Sequence, residues 1–351
     1  MRIQENIPLA PFTTFEVGGP ARYFVDAHTE NEVTEAVAHA AERNLPLFVL
    51  GGGSNLLVSD NGWPGLVLKV SLAGVEFEGD GQKMLFHAGA GESWDLLIAL
   101  TVSKNCGGLE CLSGIPGTVG GTPVQNVGAY GQEVSEGITR VRALEIATGK
   151  TMEMSNGDCG FAYRTSIFNT THRNQYIVLE VSYRLLRSGE PKIEYADLKK
   201  FFAATHSEKP TLQQVRDAVR SIRQSKAMLT VSGDEDCRSA GSFFKNPIVS
   251  QTEADRVQSL AEQRALGKPL PRYPVPNDQV KLAAAWLVEQ AGFPKGYGLG
   301  PVGISRKHAL AIVNRGGATA KDIVALQDAI QKTVFDVWGV SLQPEPVFVG
   351  F

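Results

Sequence analysis

Disulfide and metal signatures are missing from this chain. Four cysteines, Cys106, Cys111, Cys159 and Cys237, stand among 351 residues, and no two form a C-x-x-C pair. They read as buried or free thiols of a reducing compartment. The six histidines (28, 39, 87, 172, 206, 308) have no ligand spacing, so no metal site is expected. No apolar run approaches the roughly 20 residues that span a bilayer. The start, MRIQENIPLAPFTTF, has no apolar secretory core, so a cytoplasmic protein away from membranes is expected. A net charge of -3 offers no electrostatic reason to bind nucleic acid. Repeats and low-complexity segments are absent. So are two nucleotide-binding signatures. GLGPVG (298–303) spells G-x-G-x-x-G, but no strand precedes it and Pro301 sits inside it; GAGES (89–93) lacks the third glycine. Gly149-Lys150-Thr151 has Leu144 where a Walker A loop needs its first glycine.

Glycine, by contrast, is abundant and uneven. Of 37 glycines, 20 fall in residues 1–131 and 17 in the longer remainder. Glycine serves where the backbone takes positive φ or approaches a ligand closely. Main chain in the first third therefore acts as a working surface. The 43% hydrophobic and 20% charged content describes a packed globular chain, and its length suits two or three domains.

Periodicity predicts loosely alternating strands and helices, an α+β or mixed α/β protein. Strands are expected at 22–27, 45–50, 139–146, 150–154, 176–186 and 346–350, with a hairpin over 75–88 turning at Gly-Asp-Gly. Thr29-x-x-Glu32 and Thr211-x-x-Gln214 read as capped helix starts. Helices are also expected over 93–105, ending at Gly107-Gly108, and over 252–264, 280–291 and 319–338. Residues 107–131 carry eight glycines and almost no periodicity. A loop that long is usually functional.

Gly51, Gly52 and Gly53 follow a strand and precede Ser54 and Asn55. That suits a phosphate nest, or merely a tight turn. In IPGTVGGTPVQNVGAYGQE (115–133), Gly117, Gly120 and Gly121 bare the backbone, with Gln125, Asn126, Gly128 and Gly131 following. Such a loop can lie along a dinucleotide, or close the surface as an Ω-loop. FAYRTSIF (161–168) sets Arg164 among apolar residues, beside Tyr163 and Ser166; it needs an anionic partner, from a ligand or a salt bridge. Ser242 in AGSFFKNP (240–247) stands between Gly241 and a Phe pair, where an N-cap or turn serine is the common case, and Glu345 between two prolines is a rigid or merely solvated carboxylate.

Together GGGSN, the 115–133 loop, YRTS, AGSFFKNP, VKLAAAWLVEQAG and LQPEP resemble, in order and spacing, the MurB family of UDP-N-acetylenolpyruvoylglucosamine reductases. The resemblance runs from TTFEVGGPA (13–21) to the terminus. It implies an α+β chain with an FAD-binding fold of the vanillyl-alcohol-oxidase kind in two subdomains, and a separate α+β substrate domain. The expected division is 1–70, with about 340–351 returning near the site; 71–225, with an insertion around 187–210; and 226–339. FAD is the implied cofactor, NADPH the co-substrate, and UDP-N-acetylglucosamine enolpyruvate the substrate of a monomer. The implied flavin contacts are Gly51, Gly52, Gly53, Ser54, Asn55 and Leu56. From the second loop they are Pro116, Gly117, Thr118, Gly120, Gly121, Asn126, Gly128, Ala129, Tyr130 and Gly131.

The implied chemistry is hydride transfer from flavin N5 to C3 of an enolpyruvyl ether and protonation at C2. Ser242 matches the proton donor. Arg164 and Glu345 match residues that stabilise the enol-like intermediate. Tyr163, Tyr195, Lys226, Asn246 and Tyr273 match substrate contacts, Tyr195 closing over the diphosphate. Members often carry Arg two residues after the glutamate, where this chain has Val347, so no charged contact is assigned there. Another flavin oxidoreductase and a non-enzymatic nucleotide-sugar module are the competing readings.

Overall fold

The computed structural model describes all residues except 207–208, 232 and 265–266, and only the backbone of Asp80 and Leu299. Part of the 187–210 insertion thus lies outside the described residues. The chain divides into two compact units. The first comprises 1–7, 21–53 and 63–229; the second comprises 8–20, 54–62 and 230–351.

Two larger sheets lie in the first unit. One has the strand order Gln4–Pro8, Pro20–Ala27, Trp63–Val70, Leu47–Leu50, the last three parallel. Helix α1 (Glu30–Glu42) makes the crossover from Pro20–Ala27 to Leu47–Leu50, the two parallel strands that flank Trp63–Val70. Thr29 and Glu32 close the expected capping box, and Val33, Ala36, Val37 and Ala40 bury its inner face. The second sheet is antiparallel, ordered Thr151–Ser155, Ile138–Glu145, Tyr176–Arg187, Lys83–Gly89, Val75–Asp80. The expected hairpin turns at Gly81-Gln82, not over Gly-Asp-Gly, because Gly79 and Asp80 pair with Met84 and Lys83. Helix α2 (Trp94–Ser103) ends through Asn105, at φ 54°, rather than at Gly107, which joins a short strand. Helices α3 (Ala196–Ala204) and α4 (Leu212–Ser225) share an apolar cluster of Leu198, Phe202, Val215 and Val219.

The second unit gathers helices α5 (Gln251–Gln263), α6 (Ala284–Gln290) and α7 (Ala320–Trp338) with short strands. The helix expected over 280–291 begins only at Ala284, because Gln279–Leu282 is a strand between Ile248–Ser250 and Arg272–Val275. Val280 and Leu282 alternate inward there, both buried. GLGPVG is a hairpin of Gly298–Leu299 and Val302–Ile304. Its glycines make room for Arg315, whose guanidinium carbon would lie 2.5 Å from a Cβ on Gly303.

The expected segment 1–70 is not one piece. Residues 8–20 and 54–62 belong to the second unit. Phe15, Val17 and Leu57 are buried in one apolar cluster with Phe243, Trp286 and Trp338. Leu56–Val58 pairs in parallel with Val347–Val349, so the terminal segment also belongs to this unit. The Asp60 carboxylate accepts the Ala320 and Lys321 N–H groups at 2.7 and 3.0 Å, which satisfies the positive end of α7.

Candidate active site

In the first unit the two glycine loops meet. Gly51–Gly53 leave the strand Leu47–Leu50 and lie against the loop that begins at Ile115. A Cβ on Gly52 would stand 2.5 Å from Gly117 Cα, and one on Gly51 3.1 Å from Thr118 Oγ1. Gly117 itself has φ 126°, which L-residues rarely adopt. The second loop is laced to residues 90–94. Gly120 and Val119 donate to Ala90 O and Glu92 O at 2.8 and 2.9 Å, and Trp94 N–H donates to Gly117 O at 3.2 Å. Thr118 Oγ1 is buried and has no partner among the described residues. An orphaned buried hydroxyl costs about 1–3 kcal/mol, which a polar ligand group there would recover. Nothing comes within 4 Å of a Cβ on Gly121, so packing does not demand that glycine. Bare main chain with an unused hydroxyl fits a pyrophosphate-containing cofactor such as FAD.

Arg164 stands at the tip of a tight hairpin beside this loop. Ala162 and Thr165 exchange both backbone hydrogen bonds, at 3.0 and 3.1 Å. The turn forces Arg164 to φ 57°, a conformation unusual outside glycine. Its guanidinium lies 5.6 Å from the Tyr163 ring centroid, and Nη1 would be 3.3 Å from a Cβ on Gly128. Three bonds hold the hairpin: Ser166 Oγ to Val124 O at 2.6 Å, Asn126 Nδ2 to Ala162 O at 3.1 Å and Asn169 Nδ2 to Arg164 O at 3.1 Å. Ala129 and Gly128 form a two-residue strand against Gln132 and Glu133, with Tyr130 and Gly131 in the turn at φ 51° and 81°.

Tyr130 packs edge-on against Tyr195 at 5.4 Å. Burial pushes the Tyr130 phenol up to about 12, so it stays protonated. Tyr195 itself is exposed, at the N-terminus of α3. Lys226 caps the C-terminus of α4 and pairs with Asp197 of α3 at 2.5 Å. It therefore belongs to the first unit, not to the expected 226–339 domain. Sequence reasoning missed the residues that hold this region together. Arg223 donates to Gly114 O at 3.1 Å and to Met228 O at 2.5 Å. Asp95 accepts from Gly114 N–H at 2.6 Å, from Arg216 at 2.7 Å and from Arg220. Their signal was arginine at 216, 220 and 223, spacings that return to one helix face. Burial pushes the Asp95 carboxyl up, but hydrogen bonds from Arg216 and Gly114 and the charges of Arg216 and Arg220 outweigh it, leaving it below the usual range.

In the second unit Ser242 and Glu345 lie on adjoining segments. Phe244 and Pro344 form an antiparallel bridge. Lys245 N–H donates to Gln343 O at 2.9 Å, and Glu345 N–H to Phe243 O at 2.8 Å. Pro344 and Pro346 have no N–H, so Glu345 supplies the one backbone donor that 344–346 can offer the serine segment. Asn55 holds the other edge. Its Nδ2 donates to Glu345 O at 3.2 Å, and its carbonyl accepts from Val347 N–H at 2.8 Å. Ser54, Asn55 and Leu56, expected beside the flavin with the triplet, belong to the second unit, whereas Gly51–Gly53 belong to the first. Gly241, at φ 74°, turns the chain into Ser242. Asn246 Oδ1 accepts from Ala284 N–H at 2.9 Å, capping α6. Tyr273 is exposed on a strand opposite Lys281.

Comparison with known proteins gives these loops a lineage. Residues 21–155 match the FAD binding domain family, and residues 233–349 match the UDP-N-acetylenolpyruvoylglucosamine reductase C-terminal domain. The UDP-N-acetylenolpyruvoylglucosamine reductase of Thermobifida fusca is 45% identical over 98% of this chain and 97% of its own. That of Mycobacterium tuberculosis is 44% identical over 99% and 95%. The crystal structure of the Thermus caldophilus enzyme superposes with a TM-score of 0.67 at 26% identity, covering 99% of both chains. An FAD-binding domain and a full-length match to named reductases make this an α+β flavin oxidoreductase, and the chain belongs to the UDP-N-acetylenolpyruvoylglucosamine reductase family.

Proposed function

We propose that this protein reduces the enolpyruvyl double bond of UDP-N-acetylglucosamine enolpyruvate to UDP-N-acetylmuramate, a step of peptidoglycan synthesis, with NADPH as electron donor. The observation that carries the proposal is the full-length likeness to reductases of that name, joined to a glycine-loop pair with an unspent buried hydroxyl. When bound, FAD supplies a hydride drawn from NADPH to C3 of the substrate. Gly51, Gly52, Gly117 and Thr118 would hold it.

The chain's own residues manage charge and proton. Adding hydride at C3 leaves negative charge on C2, delocalised into the adjoining carboxylate. Arg164 holds that carboxylate; its guanidinium is oriented by the Tyr163 ring and by a backbone with little freedom to relax. Glu345 stabilises the enol through a hydrogen bond, its peptide fixed on both edges. Ser242 delivers the proton to C2. A serine hydroxyl is a weak acid, so placement must supply its efficiency. Tyr195 closes over the diphosphate, with Lys226, Asn246 and Tyr273 completing the substrate contacts. The protein works as a cytoplasmic monomer. No described helix is long and apolar enough to cross a membrane.

Steady-state assay of the FAD-loaded protein tests this reading. NADPH consumption should depend on the enolpyruvyl substrate, and the product should be two hydrogens heavier. Substrate-independent consumption, or oxidation of an alcohol or sugar with oxygen as acceptor, would favour the flavin-oxidase reading instead.

A further inference from the structure

Asn126 lies in the glycine loop, where a cofactor contact is the obvious role for a polar side chain. Its surroundings indicate another. The residue is 1% exposed, at φ 45°, in the left-handed region that asparagine tolerates better than most. Both amide hydrogens are spent: Nδ2 donates to Glu133 Oε2 at 2.7 Å and to Ala162 O at 3.1 Å. Oδ1 accepts the Ser135 N–H at 3.2 Å. Ala162 is the residue whose paired bonds with Thr165 close the Arg164 turn. Arg164 occupies a strained left-handed backbone conformation, which persists only when neighbours over-determine it.

We infer that Asn126 is a positioning residue for Arg164, fastening the arginine hairpin to the flavin loop, rather than a flavin ligand through its side chain. This rests on the role given to Arg164 above. The chemistry is specific to an amide. An aspartate of the same shape would lose both donors and set a second carboxylate against Glu133. The hairpin would then be free to relax away from φ 57°, carrying the guanidinium with it.

A double-mutant cycle tests this, read in the oxidative phase, the return of flavin absorbance when substrate meets NADPH-bleached enzyme. Asn126→Asp should keep its FAD and bleach normally with NADPH, yet slow the oxidative phase by about 10²-fold, as misplacement of about an ångström can. In an Arg164→Ala background the same substitution should change the rate less than about twofold, since coupled residues are not additive. Ser166→Ala, which removes the bond to Val124 O, should behave alike and serves if Asn126→Asp does not fold. Equal slowing in both backgrounds, or loss of FAD from folded Asn126→Asp, would overturn the inference. An Arg164→Ala enzyme with normal oxidative rate would instead overturn the role of Arg164 itself.

Discussion

Gly52 and Gly117 are packed so closely that a Cβ on the first would sit 2.5 Å from the Cα of the second. Two loops 65 residues apart thus share one backbone surface in the first unit. Gly52→Ala should push the 115–133 loop outward and abolish FAD retention, yielding folded but colourless protein. Flavin absorbance after gel filtration checks it. A Gly121→Ala control, where a Cβ meets nothing within 4 Å, should fold as stably as the parent in thermal melts. A yellow, fully loaded Gly52→Ala protein would refute the shared surface.

Ser242→Ala should separate the two halves of turnover. Bleaching by NADPH should stay near normal, while reoxidation by substrate should slow by about 10²–10⁴-fold, the usual cost of losing a general acid. Stopped-flow absorbance resolves the phases. Equal slowing of both would remove Ser242 from the proton-donor role.

Glu345 should act through a hydrogen bond, not through its charge. Glu345→Gln keeps a hydrogen-bonding group in the same place, and its peptide would still be held by Phe243 O and Asn55. Glu345→Ala should cost about 10²–10³-fold in kcat, as removal of a preorganised donor does, and Glu345→Gln distinctly less. If Gln proves as poor as Ala, the carboxyl itself is needed and the hydrogen-bond account of Glu345 fails.

Asp95 should govern part of the acid stability. Its pKa is depressed in the fold, so its contribution is fully present above about 3.9 and is lost as pH falls through the lower folded value. Asp95→Asn should destabilise the protein at pH 7 by on the order of 2 kcal/mol, the scale of hydrogen bonds to a charge. Melting curves should show the gap to the parent narrowing towards pH 3. A gap that is constant or grows as the pH falls would contradict this.

The features readable in the sequence are those made by near neighbours. Thr29 with Glu32 and Thr211 with Gln214 close their capping boxes within one turn. The 75–88 hairpin needs only a short loop and alternation. Apolar spacing starts helix α6 four residues too early, because Ala284–Gln290 continues the apolar character of Val280–Leu282 while only pairing to Ile248–Ser250 makes the latter a strand. The assignment of 8–20 and 54–62 to the second unit was not legible at all. It depends on contacts such as Asn55 to Glu345, 290 residues apart, and Phe15 against Phe243. Asn126 was legible as a polar loop residue, but its partners at 133, 135 and 162 come from a turn and hairpin that no local pattern announces. Arg164, Ser242 and Glu345 could be picked out only through likeness to a family, since each alone reads as an ordinary salt-bridge or turn residue.

The most direct test of the central claim is anaerobic. FAD-loaded protein is bleached with one equivalent of NADPH, then mixed with UDP-N-acetylglucosamine enolpyruvate while the flavin absorbance is followed. The account predicts rapid return of the yellow colour with stoichiometric UDP-N-acetylmuramate, and no return with UDP-N-acetylglucosamine. Absorbance that stays bleached until oxygen is admitted would contradict it.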